Sequence, residues 1–253
     1  MRRSTTKYLL SVGLLSFGSL ALIPSCADNN SSLFLIGVID TNSSACVAKN
    51  DTTSAMLPYG TLDVAFSTSY TAAVLVGNQL TERGDREQLR TETSRISLRG
   101  AEITLTTLDG KVLGNYSTVG TGFVNASAGD APSYAAMAVN VIPPALGSSQ
   151  AVRDARVVLA KIRVFGDTLG NTSITSSELD FPINICQGCL VQYDTLDPAT
   201  GHCPVPAAAT QTTEAPPCAL GQDRNISCTT CAAAYPLCGD PGLNPSYAPA
   251  ATP

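Results

Sequence analysis

The chain has 253 residues, with 20 Asp and Glu against 15 Lys and Arg, no Trp and a single His. A formal charge of −5 argues against nucleic acid or an anionic lipid surface as the partner. With His202 as the only histidine, an HExxH metal site is excluded, and a Ser-His-Asp triad would have to use that one ring.

The first seven residues carry Arg2, Arg3 and Lys7 and no acid, and the apolar run Tyr8 to Ile23 follows. A basic start before an apolar stretch is the pattern of a secretory leader. The run is shorter than the roughly 20 residues a bilayer-spanning helix needs, and Ser and Gly interrupt it. It ends in Ile23-Pro24-Ser25-Cys26, which resembles the lipobox of bacterial lipoproteins apart from Pro24. Residues 1–25 are therefore expected to be removed and Cys26 to become a lipid-bearing first residue, anchored by two or more acyl chains. Cleavage takes three cations and no anion, leaving 12 Lys and Arg against 20 acids, a net charge near −8. Residues 26–32 read as a polar tether. By resemblance to the sorting rules of enteric lipoproteins, Ala27 rather than Asp after the cysteine implies outer-membrane delivery.

Leu33 to Ile39 is an apolar run bounded by polar residues and predicts a buried strand. Thr61 to Ser67 alternates, with Leu62, Val64 and Phe66 on one face and Asp63 and Ser67 on the other. Tyr70 to Gly77 follows as its candidate hairpin partner. The segment Glu82 to Arg95 mixes both charges (Glu82, Arg83, Asp85, Arg86, Glu87, Arg90, Glu92) and reads as a solvated face, with partner docking as the minority reading.

Between Arg95 and Leu105 the apolar positions change parity, from Ile96 and Leu98 to Ala101, Ile103 and Leu105, which predicts a bulge at Arg99-Gly100. Asp109-Gly110 predicts a tight hairpin turn into Lys111 to Tyr116. Ser133 to Ile142 is a further strand, ended by Pro143-Pro144. Arg156 to Phe165 is the strongest, with Ala160, Ile162 and Val164 opposite Lys161 and Arg163. A turn over Gly166 to Asn171 leads to Glu178 to Ile185, where Leu179, Phe181, Ile183 and Ile185 share a face and Pro182 points to an edge position. About eight short strands without a long helical period argue for an all-β domain over 33–185, an antiparallel Ig-like or fibronectin-like β-sandwich.

Composition changes after Ile185. The region 186–240 holds Cys186, Cys189, Cys203, Cys218, Cys228, Cys231 and Cys238 among Pro, Ala, Thr and Gly, and 241–253 is a Pro/Ala tail expected to be disordered. A stretch so poor in core residues has to be held by disulfides. Nine cysteines less a lipidated Cys26 leave eight, and full pairing requires Cys46 to reach one of the seven in the tail. Cys186-Gln-Gly-Cys189 and Cys228-Thr-Thr-Cys231 could ligate zinc as thiolates, but export to an oxidising compartment favours disulfides. A thioredoxin-like role would call for a βαβ setting, whereas Cys186 ends a strand.

Leu75 to Leu80, Leu98 to Ile103, Arg163 to Gly170, Phe181 to Leu190 and Gly221-Gln-Asp223 together resemble lipoproteins of uncharacterised role that abound in predatory, gliding, myxobacterial-type bacteria. The resemblance implies an envelope location and a β-architecture, and carries no activity and no functional residue.

The sequence thus describes an all-β sandwich followed by a disulfide-stapled irregular tail. It is expected to be lipid-anchored through Cys26 in the outer membrane, non-catalytic, and to bind or scaffold an envelope protein or glycan. No catalytic residue, metal or cofactor is assigned, and nucleic acid is not a partner. The alternatives are a carboxylate-based extracytoplasmic hydrolase and a metal-binding cysteine module.

Overall fold

In the computed structural model, residues 32–84, 91–129, 131–192 and 218–227 are described. The fold is all-β. Two sheets pack as a sandwich, with 3₁₀ and α-helical turns confined to the connections.

The smaller sheet runs in the order β2-β1-β4-β7, from β1 (Leu33–Ile39), β2 (Met56–Leu57), β4 (Tyr70–Asn78) and β7 (Ser133–Ile142), all antiparallel. The larger runs β3-β10-β8-β5-β6, from β3 (Gly60–Asp63), β5 (Ile96–Thr107), β6 (Val112–Val124), β8 (Val157–Thr168) and β10 (Leu179–Cys186). β9 (Ser173–Thr175) adds to β8, and β11 (Val191–Gln192) pairs with β12 (Ile226–Ser227). Two short helices, α1 (Pro144–Gly147) and α2 (Gln150–Ala155), bridge β7 to β8 after Pro143-Pro144 ends the strand. Among the described residues no helix is long and apolar enough to cross a membrane.

The core lies between the sheets, where alternate residues of each strand meet. Val74, Val76, Val139 and Val141 from the smaller sheet pack with Ile103, Leu105, Val158, Ala160, Ile162, Val164 and Ile183 from the larger, all fully buried. On β8 the opposite face carries Lys161 and Arg163, ion-paired to Glu178 and Asp180. The period-two pattern read for β8 and β10 is therefore the one the fold uses.

The parity change in β5 is a bulge. Its register against both β6 and β8 jumps between Leu98 and Gly100, and Ile96, Leu98, Ala101, Ile103 and Leu105 are all buried. A Cβ on Gly100 would stand 2.3 Å from the Thr118 carbonyl, so this closely approached position admits only glycine. Asp109-Gly110 makes the expected turn, with Gly110 at φ +87° and its N–H donating to the Thr107 carbonyl at 3.0 Å.

Three expectations need correction. β4 does not pair with β3. The Phe66 and Ser67 N–H groups both donate to the Asp63 carbonyl, making a tight turn that carries the chain from the larger sheet to the smaller. β3 instead joins β10 in parallel (Gly60 opposite Ile183 through Asp63 opposite Cys186), so the sandwich is not wholly antiparallel. β10 is consequently an inner strand over Ile183 and Asn184, and β3 continues beside it to Cys186. Pro182 precedes the first β3 pair, and the edge character read from it applies only to that half of the strand. Asp63, on the face opposite Leu62 and Val64, is in addition completely buried.

Candidate functional site

β3 ends the larger sheet opposite β6, and the segments after β10 gather around it. Two clusters result, each joining polar groups of β3 to a segment that carries a described disulfide.

In the first, Asp63 sits beneath the Cys186-Gln-Gly-Cys189 turn. Its Oδ1 accepts from the Gly188 N–H (2.7 Å) and the Ala65 N–H (3.1 Å), and its Oδ2 from the Leu190 N–H (3.0 Å). The Val64 N–H donates to the Cys186 carbonyl at 2.8 Å, and Gly188 takes φ +76° to close the turn. A buried carboxylate is costly unless hydrogen-bonded, and three backbone donors meet that requirement. Cys186 and Cys189 are joined in a disulfide, with Cys186 half-buried at the strand end and Cys189 exposed. A carboxylate oxygen of Asp63 and both sulfurs lie within 4.8 Å of one another. The set has the donor types of a thiolate–carboxylate metal site, but sulfurs bonded to each other are not thiolates, and metal binding would first require reduction.

Beside this turn an open groove of about 340 Å³ is lined by Val64, Ile185, Cys186, Gln187, Arg153 and Arg156. Ser149 caps α2 by accepting from the Val152 N–H, and α2 ends at Arg156, whose backbone takes φ +57° while its carbonyl accepts from the Ile185 N–H (2.6 Å). Left-handed backbone is uncommon for a non-glycine residue and is held here by the packing of α2 on β10. Among the described residues neither guanidinium is in an ion pair, and the nearby Asp154 accepts from Gln150 Nε2 instead.

The second cluster is the docking of tail residues 218–225. The Asp63 N–H donates to the Gly221 carbonyl (2.9 Å) and the Asp223 N–H to the Thr61 carbonyl (3.1 Å), so this segment bonds β3 much as a strand would. The Gln222 side chain accepts from the Thr71 N–H (3.2 Å) and donates to the Ser69 carbonyl (2.9 Å). Asp223 Oδ1 accepts from the Thr61 N–H (2.7 Å) and Oδ2 from the fully buried Tyr70 hydroxyl (2.8 Å). Burial pushes the Asp223 carboxyl above the usual carboxylate range, against the pull of the Thr61 and Tyr70 donors. Burial also raises Tyr70, with the facing Asp223 adding to it. Gly221 has φ +78°, and a Cβ there would stand 2.8 Å from Phe66 Cβ. The Cys46–Cys218 disulfide and a Cys218 N–H to Asn42 Oδ1 bond (3.1 Å) fasten the start of the segment to the connection after β1.

Cys26, His202, Cys203, Cys228, Cys231 and Cys238 lie outside the described residues, as do Asp85, Arg86, Glu87 and Arg90 of the charged segment. What is described of that segment is local. The Glu92 carboxylate accepts from the Arg83, Gly84 and Ser94 N–H groups. Neither Asp63 nor Asp223 was singled out from sequence. Asp63 falls on the polar phase of an alternating strand, and the only mark on Asp223 is the glycine two residues before it.

At the far edge of the larger sheet, the odd-numbered residues of β6 from Asn115 to Phe123 face outward. Val119 is 85% exposed and Phe123 51%. Both line an open groove of about 490 Å³ with Ser97, Leu98, Arg99 and Thr121, and the Arg95 guanidinium lies 4.4 Å above the Phe123 ring.

No family model matches the chain, and no curated protein is similar to it.

Proposed function

We propose that the chain is an exported, lipid-anchored cell-envelope protein whose sandwich binds or scaffolds a protein or glycan partner through a surface that is itself non-catalytic. The observation that carries the binding role is the outward face of β6. Val119 and Phe123 stand exposed on the terminal strand of the larger sheet, with Arg95 stacked on the aromatic ring. Large apolar side chains grouped on an edge strand are a liability for a solitary soluble protein and an asset for one with a partner. The buried Asp63 and half-buried Asp223 carboxylates favour this reading over hydrolysis. Asp63 and Asp223 are both taken up by hydrogen bonds that hold the tail, whereas a glycosidase pair must face its substrate. The leader ending at Ser25, the polar tether after Cys26 and the disulfides of the body support export.

Chemical crosslinking in intact cells, followed by purification of the full chain from detergent-solubilised envelope, tests the binding role. A specific adduct is expected for the wild type and its loss in the V119D/F123D variant, with circular dichroism and disulfides unchanged. Equal capture by both, or a wild type that stays uncrosslinked, would refute it.

A further inference from the structure

The Cys186–Cys189 bond does little that its surroundings do not already do. It spans three positions, whereas Cys46–Cys218 spans 172, and the restriction a disulfide puts on the unfolded chain grows with the loop it closes. The turn it sits in is held independently. Asp63 takes the Gly188 and Leu190 N–H groups, Val64 bonds the Cys186 carbonyl, and β10 is paired with β8 up to Asn184 and with β3 up to Cys186. Opening the bond would thus leave both sulfurs in place. The two are also unequal, with Cys189 exposed to solvent and Cys186 half-buried beside the groove that Arg153 and Arg156 line.

We propose that Cys186 and Cys189 form a thiol–disulfide exchange site that acts on anionic thiols, such as cysteine residues flanked by acidic groups. In the first step the substrate thiolate attacks Cys189 Sγ. A substrate–Cys189 disulfide forms, the Cys186–Cys189 bond breaks, and its electron pair leaves on Cys186 Sγ, at the groove that Arg153 and Arg156 also line. In the second step another substrate thiolate attacks the substrate sulfur of the mixed disulfide and releases Cys189 as a thiolate. The products are a substrate disulfide and the protein dithiol. Two electrons and two protons pass from the substrate to the pair, and a low-molecular-weight or protein disulfide restores it by the reverse sequence. The arginines stabilise the departing thiolate and attract anionic substrates, while Asp63 keeps the two cysteines in reach of each other. This chemistry goes beyond the binding role proposed for β6. It uses only the export part of that reading, and it lies at the opposite edge of the larger sheet.

Reduced glutathione, an anionic thiol, and cysteamine, a cationic one, are the probes. The purified full chain is exposed to each in turn, alkylated at intervals, and its cysteine peptides are quantified by mass spectrometry. Glutathione is expected to open Cys186–Cys189 at least about tenfold faster than Cys46–Cys218, with no loss of β-structure. In the C186S variant, oxidised glutathione should form a mixed disulfide on Cys189. The rate ratio of glutathione to cysteamine should fall about threefold or more in R153Q/R156N, a change that a purely structural role for the arginines would not produce. The proposal is overturned if the two disulfides open at similar rates, if Cys189 in C186S resists glutathionylation, or if the rate ratio is the same in the arginine variant.

Discussion

Replacing Asp63 separates its role as a hydrogen-bond acceptor from its role as a charge. Its carboxylate receives three backbone N–H groups, from Ala65, Gly188 and Leu190, and the residue is fully buried. In Asp63→Ala all three donors lose their partner. The Leu190 bond is buried and the other two are partly so, and at about 1–3 kcal/mol for each donor left unpaired out of water the loss should come to about 3–5 kcal/mol. Asp63→Asn keeps one acceptor oxygen, which can hold Gly188 and Ala65, but turns an amide donor toward the Leu190 N–H. One bond is lost and two donors face each other, for a cost of about 1–3 kcal/mol. Urea unfolding followed by far-ultraviolet circular dichroism suits a chain without Trp. The expected order of stability is wild type, then Asn, then Ala, with both disulfides intact. If both variants fall within about 0.5 kcal/mol of wild type, Asp63 does not organise the turn. If Asn is as damaging as Ala, the charge rather than the geometry is what matters.

The Cys46–Cys218 bond spans 172 positions, and the loop-entropy account gives such a closure about 5 kcal/mol at 25 °C. The C46A/C218A chain should therefore lose about 3–5 kcal/mol and show a steeper urea dependence as its unfolded state expands, and a loss below about 1 kcal/mol would contradict this. Asp223 has its carboxyl raised by burial. Its stabilising contribution is full below the ordinary carboxylate value of about 3.9 and is lost as pH rises through the higher folded value. The melting temperature of Asp223→Asn should accordingly improve relative to wild type between acid and neutral pH, and the opposite trend would refute the assignment. Asp223→Ala, which strands the buried Tyr70 hydroxyl, should cost about 1–3 kcal/mol at any pH in that range.

What could be read from the sequence was whatever repeats within a few residues. The inward faces of β8 and β10, the bulge between Leu98 and Gly100 and the turn at Asp109-Gly110 all follow from side-chain parity and glycine placement. Pairings between distant segments could not be read the same way. β3 lies beside β10, more than a hundred residues later, and nothing in Gly60–Asp63 marks that neighbour. A polar residue on an alternating strand carries no local sign of a buried partner, so the burial of Asp63 is not legible in the sequence. Its partners are backbone groups of a turn that exists only once β10 is in place. The same reasoning explains Asp223, whose ties to Thr61 and Tyr70 span 162 and 153 positions. Full pairing of eight cysteines requires Cys46 to bond within the tail, but leaves open which cysteine it meets.

Export underlies both proposals by supplying the oxidising compartment for the cysteines, and anchoring brings β6 to an envelope partner. Mass spectrometry of the N-terminal peptide, from chain produced with its own leader in a bacterium that processes lipoproteins, tests that claim directly. The account predicts a first residue Cys26 carrying a diacylglyceryl thioether, with residues 1–25 absent. A peptide retaining those residues, or beginning elsewhere with an unmodified Cys26, would contradict it.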